Sequence, residues 1–135
     1  MNIGVNMLLW ATCVTKQHVA ALKAIKDAGA DGVEIPIMEG PAPAYRELGR
    51  LLDDLGLKRT SSMAFVTPEV NPVSDDPKFR QAAKDNLKWL IECAHALDAS
   101  VTSGCSMTKR SRAHAVVPPT PSAAASPPPR RSRRL

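Results

Sequence analysis

Few residues of this chain are equipped to do chemistry, and the first is a carboxylate. Glu34 lies in DGVEIPI between Val33 and Ile35, so in an extended strand its side chain leaves the face opposite to theirs. A carboxylate so placed must be paired, hydrated or functional, because burying it alone is costly. It reads either as a proton-transfer group or, preferred in the absence of a matching partner, as an interior ion pair or a hydrated residue at the mouth of a site. Trp10 closes the run MNIGVNMLLW. A large aromatic at the end of a strand either walls a ligand pocket or packs over the sheet edge. Ser61 and Ser62 in KRTSSMAF can donate to a polar ligand or cap nearby backbone. His18 and His95 fall within helical patterns with no carboxylate or thiol at ligand spacing, and read as ordinary helix residues. The sequence contains no GxGxxG, P-loop GKT, HExxH or GxSxG, which removes the common nucleotide-binding, zinc-protease and serine-hydrolase motifs.

These residues need elements to hold them, and the chain repeats one joint three times. Ile3 to Leu9 is an apolar run without helical period, short enough for a strand buried on both faces. Val19, Leu22 and Ile25 follow at helical spacing after Thr15, a candidate cap, and Gly29 supplies a left-handed helix end before the strand DGVEIPI. A second helix is predicted from about Pro43 through Leu55 to Gly56, then a strand over KRTSSMAF. The third helix has the best start, Asp76-Pro77: Asp can accept from unpaired first-turn amides, and proline there loses only a donor that had no partner. Its apolar residues run Phe79, Ala82, Ala83, Leu87, Leu90, Ile91, Ala94 and Leu97, and it ends at Asp98 before the strand ASVTSG. The resulting order β-α-β-α-β-α-β gives a parallel sheet. Periodicity alone fits either a barrel arc or a doubly wound sheet, and in both the functional positions lie at the carboxyl ends of the strands.

Composition divides the chain after Gly104. Residues 1–104 carry 11 Lys or Arg and 13 Asp or Glu, whereas 105–135 carry 7 basic residues and no acidic one, so the net charge of +5 comes from the tail. Six of the twelve prolines also lie there, and such a segment has too little apolar surface to offset the entropy of ordering, so disorder is expected over 105–135. Its arginines can bind nucleic acid through phosphate charge, but with no aromatic to stack on bases the attraction is unspecific. Cys13, Cys93 and Cys105 show no CxxC spacing and suit a reduced compartment; with no basic signal-peptide start and no span-length apolar run, the expected location is the cytoplasm, away from membrane.

The blocks IGVNMLLW, AGADGVEI, LDDLGLK and NPVSDDPKFRQAAK leading to ALDASVTSG resemble the amino-terminal half of the sugar isomerase and epimerase superfamily with the xylose-isomerase-like TIM barrel, nearest to the ketose 3-epimerases that act on tagatose and psicose. The resemblance implies the fold of residues 1–104: the β1-α1-β2-α2-β3-α3-β4 half of a (β/α)8 barrel. It also implies a sugar substrate and, in full-length relatives, a divalent metal, Mn or Mg, held by two Glu, one Asp and one His from the later strands. There the metal polarises the ketose carbonyl while carboxylates take and return a proton through an enediolate. No acidic residue follows Asp98, so no metal ligand or catalytic carboxylate carries over, and neither a metal nor activity is expected of this chain alone. The pocket residues that carry over are Trp10, the aromatic at the first strand's end, and Ser62 near the third-strand segment lining the same pocket; Glu34, from its own strand position, is added to the expected substrate-binding set. Asn6 stands where many relatives place an aromatic contact. The abrupt change after Gly104 is what a shifted reading frame in GC-rich DNA encodes, so a truncated or frameshifted gene product is expected. A four-strand arc leaves two open edges, through which copies of the chain can associate. The alternative is a small non-enzymatic α/β module whose basic tail binds nucleic acid or an acidic partner.

Overall fold

The computed structural model describes residues 1–64 and 67–105. Four parallel strands form one sheet in the order of the chain: β1 (Gly4–Asn6), β2 (Gly32–Ile37), β3 (Lys58–Ala64) and β4 (Thr102–Cys105). Helices α1 (Val19–Asp27), α2 (Ala42–Asp54) and α3 (Pro77–Leu97) connect them. Val33, Ile35 and Ile37 of β2 pack in one cluster with Leu22 and Ile25 of α1, Leu48 and Leu52 of α2, and Leu90, Cys93 and Leu97 of α3. Consecutive strands are neighbours and one helical layer covers one face, so the sheet is singly wound: an arc of a barrel, not a doubly wound sheet.

The three joints between helix and strand are the same hydrogen-bonded device. At each, a left-handed residue ends the helix: Gly29 at φ 91°, Gly56 at φ 63° and Asp98 at φ 57°. The next N–H then reaches five residues back, Ala30 to the Ile25 carbonyl at 3.2 Å, Leu57 to Leu52 at 2.9 Å and Ala99 to Ala94 at 3.1 Å. This closure satisfies carbonyls the helix leaves open. Asp98 adopts a conformation that costs a residue bearing a Cβ. Arg59 of β3 supports it: Nη2 donates to the Asp98 carboxylate at 2.9 Å and Nε to the Leu97 carbonyl at 2.9 Å, while Nη1 pairs with Asp53 of α2.

Expected and observed elements differ in three places. The first strand stops at Asn6 rather than Leu9, because the Asn6 Oδ1 accepts from the Leu8 N–H at 2.8 Å and turns Met7–Leu9 into a 3-10 turn that buries Met7. Ile91 was expected among the apolar contacts of the third helix, yet it is 59% exposed. β4 begins at Thr102, three residues later than ASVTSG, and runs one residue past Gly104. Elsewhere the start at Asp76 holds, its carboxylate accepting from the Lys78 N–H at 2.8 Å, and Thr15 caps the Lys16–His18 turn before α1. There His18 has a local task, its Nδ1 accepting from the Thr15 N–H at 3.1 Å. Phe65 and the expected disorder of 106–135 lie outside the described residues.

Candidate functional site

The uncovered face of the sheet is polar. Strand alternation sends Asn6, Glu34, Thr60, Ser62 and Ser103 to it, opposite the helices, and the register sets Asn6 beside Glu34, Glu34 beside Thr60, and Ser62 beside Ser103. Glu34 is the hub. Its Oε2 accepts from Asn6 Nδ2 at 2.6 Å and its Oε1 accepts from Ser103 Oγ at 2.8 Å, so one carboxylate joins β1, β2 and β4. The half-buried carboxylate thus has two donors and, among the described residues, no ion-pair partner, which meets the requirement that a partly desolvated charge be hydrogen-bonded. Ser62 Oγ is buried and has no hydrogen-bond partner among the described residues. Below the hub, Gly4, Gly32, Lys58 and Thr60 line a trough of about 450 Å³ along the same face.

Three of the four residues expected to bind substrate thus come together: Asn6 and Glu34 by direct contact, and Ser62 through its register partner Ser103. Trp10 stands apart. It is 51% exposed and lines a groove between β1 and α1 with Ile3, Val5, Ala21, Ala24 and Ala28, whose β1 side chains leave the opposite face from Asn6. Ser61 is fully buried under the helices and bonds Thr102 Oγ1 at 2.8 Å, a structural pairing. Ser103 falls among the strand-end positions where function is expected, whereas Thr60 was not singled out from sequence, although its alternation with buried neighbours places it on Glu34's face once the strands are known.

A second pocket, of about 400 Å³, opens where the loops after β1 and β2 meet α2, between Cys13, Glu39, Gly40, Tyr45 and Leu48. Tyr45 donates its hydroxyl to the Glu39 carbonyl at 2.6 Å, and burial, with the nearby thiols, pushes its ionisation well above the usual range. Burial, then the Glu39 charge, likewise raises Cys13. Both groups are held protonated and are poor nucleophiles at neutral pH.

A divalent metal of the kind the resemblance implies requires several oxygen or nitrogen ligands converging on one point. Among the described residues no three of His, Cys, Asp and Glu converge, and no acidic residue follows Asp98 in the sequence. The two oxygens of Glu34 are already engaged by Asn6 and Ser103. The described residues do not fit such a site.

A singly wound parallel sheet of four consecutive strands, covered by helices on one face and polar on the other, is the architecture of part of a (β/α)8 barrel. The chain belongs to the xylose isomerase-like TIM barrel family, whose model matches residues 22–125, from within α1 to beyond β4. Among solved structures it is similar to a D-allulose 3-epimerase from Methylomonas sp. in complex with D-allulose, with 20% identity, 81% of this chain and 39% of that one covered, and a TM-score of 0.66. The D-psicose 3-epimerase from Clostridium cellulolyticum H10 with D-tagatose gives 21% identity, coverage of 77% and 37%, and a TM-score of 0.63. An AP endonuclease, family 2, from Brucella melitensis gives 16%, coverage of 78% and 41%, and a TM-score of 0.52. At these identities the likeness is one of fold, and the chain spans less than half the length of each. No curated protein matches the chain. Among the described residues no helix is long and apolar enough to cross a membrane.

Proposed function

We propose that this chain is the substrate-contacting amino-terminal arc of a sugar isomerase or epimerase barrel, without the metal-binding and proton-transferring half. The observation that carries the reading is the polar hub: Asn6, Glu34 and Ser103 joined by hydrogen bonds, with the Ser62 hydroxyl, which has no partner among the described residues, on the same face. Such a surface offers donors and acceptors to the hydroxyls of a ketose but holds one carboxylate where proton exchange through an enediolate takes a metal and opposed carboxylates. The chain alone therefore binds a ketose weakly at most and does not epimerise it.

The test has two arms. Titration of the labelled chain with D-allulose or D-tagatose should move amide resonances of Asn6, Glu34, Ser62 and Ser103, and incubation of the ketose with chain and Mn²⁺ should leave its configuration unchanged. Metal-dependent epimerisation by the pure chain would overturn the assignment of an inactive arc, and no shift at the hub would overturn its role in binding.

A second reading is favoured by charge alone. Seven basic residues and no acidic one after Gly104 suit an anionic partner such as nucleic acid. Binding that weakens steeply with salt and disappears when 105–135 is removed is its expected signature; binding insensitive to salt excludes it.

A further inference from the structure

The sheet ends in two strands whose outer edges meet no other strand among the described residues. The Ile3 carbonyl accepts from Asp31 and Gly32, so Ile3 and Val5 turn their backbone groups toward β2, while Gly4 and Asn6 turn theirs outward. At the other end the Val101 carbonyl accepts from Ser61, so Thr102 and Gly104 face outward from β4. Both edge strands are short, but neither carries a charge or a proline to discourage pairing: GVN and TSGC contain no charged residue and no proline. Large apolar side chains lie exposed beside both, Ile3 at 55% and Trp10 at 51% near β1, Val101 at 61% before β4.

We propose that both edges are filled by a second copy of this chain, β4 of each pairing in parallel with β1 of the other to close an eight-stranded barrel about a twofold axis. The register carries the proposal. A (β/α)8 barrel closes with a stagger of about eight residues, so each of two equal halves must supply about four. Asn6 pairs with Glu34 and Glu34 with Thr60; Thr60 stands one residue before the Ser61–Thr102 pair and is therefore level with Val101. A stagger of about four sets Val101 against Asn2 of the second copy. Thr102 then faces Ile3, Ser103 faces Gly4, Gly104 faces Val5 and Cys105 faces Asn6, and the two short strands overlap end to end. The opposite stagger sets Val101 against Trp10 and leaves β4 nothing to pair with.

The face parity also agrees. Ser103 and Gly4 both lie on the open face, Gly104 and Val5 both on the helix-covered face, and the larger Val5 meets a glycine. The outward groups become complementary: the Gly4 N–H donates to the Thr102 carbonyl, Gly104 to Gly4, and Asn6 to Gly104, in each of two symmetric seams. This closure depends on the barrel architecture and not on which ligand the polar face takes.

Sedimentation of the full chain gives the first readout, with a mass of twice 14.5 kDa expected. The register is read by cross-linking in a chain whose own cysteines are alanine. Ile3→Cys with Thr102→Cys should form a disulfide between copies on oxidation, since the facing Cα atoms of paired strands lie within disulfide reach. Val5→Cys with Thr102→Cys, out of register by two residues, should not. If the substituted chains lose their helical circular dichroism, the mass of the unaltered chain decides. A monomer at every concentration, an open-ended ladder of oligomers, a preference for the mismatched pair, or a dimer linked by neither pair each overturns the proposal, as does a monomer that pairs only with a different chain.

Discussion

The two faces of the sheet are made from alternate residues of the same strands, yet they obey different rules. Under the helices, Val33, Ile35 and Ile37 are 0 to 2% exposed and belong to one apolar cluster spanning all three helices. On the other face, Asn6, Glu34, Thr60 and Ser103 keep water within reach, and Asn6, Glu34 and Ser103 are held by hydrogen bonds. Burial of hydrocarbon therefore supplies the folding free energy on one face, and hydrogen-bond geometry orders the polar side chains on the other. A single strand such as GVEIPI serves both, and a slip of one residue in its register would exchange them.

The sharpest way to break this division is to remove hydrocarbon from the covered face. Ile35→Ala should destabilise the chain by about 2–5 kcal/mol in urea unfolding, because Ile35 is fully buried and its neighbours can close the cavity only in part. Survival of the unaltered midpoint would mean that the helices do not hold the sheet. Next in size, Arg59→Met should cost about 1.5–3 kcal/mol, since it removes charge-assisted bonds to Asp98 and the Leu97 carbonyl that support the left-handed end of α3. Hydrogen exchange should quicken at Ala99 before it does at Leu57.

A smaller probe of the covered face is alkaline pH. Burial first, then the neighbouring Glu92 charge, raises the Cys93 thiol above its ordinary value of 9.0. Between the unfolded and folded values the unfolded chain releases this proton while the folded chain retains it, so stability is full below about 9 and falls as pH rises beyond it. Cys93→Ala should flatten that fall; an unchanged slope would assign it to other groups. The smallest effect belongs to the open face, where Thr60→Ala should change stability by no more than about 0.5 kcal/mol. A loss comparable with that of Ile35→Ala would erase the distinction between the faces.

Much of the covered face could be read in advance, and less of the open one. The helix stops at Gly29, Gly56 and Asp98 are local events, set by residues adjacent in sequence, and all three hold. The third was legible because Asp tolerates the left-handed region, but Arg59, which supports it from 39 residues away, was not. The hub was half legible. Alternation gives Glu34 its face, whereas its bond to Ser103 joins residues 69 positions apart and depends on the twist of β2, β3 and β4 together. Trp10 shows the opposite failure: reading Ile3 to Leu9 as one continuous strand puts it at a strand end, but Asn6 caps its own downstream turn and carries the indole toward α1.

Glu34 spans β3 to reach Ser103, and in mechanical language it is the string of a bow whose wood is the sheet. The length of that carboxylate side chain sets how tightly the arc is drawn. Shortening it to Asp by one methylene would tighten the string or break it at Ser103, and either result alters the angle between the two outermost strands. The residue that joins three strands on the polar face also tensions the curve on which any ring must close.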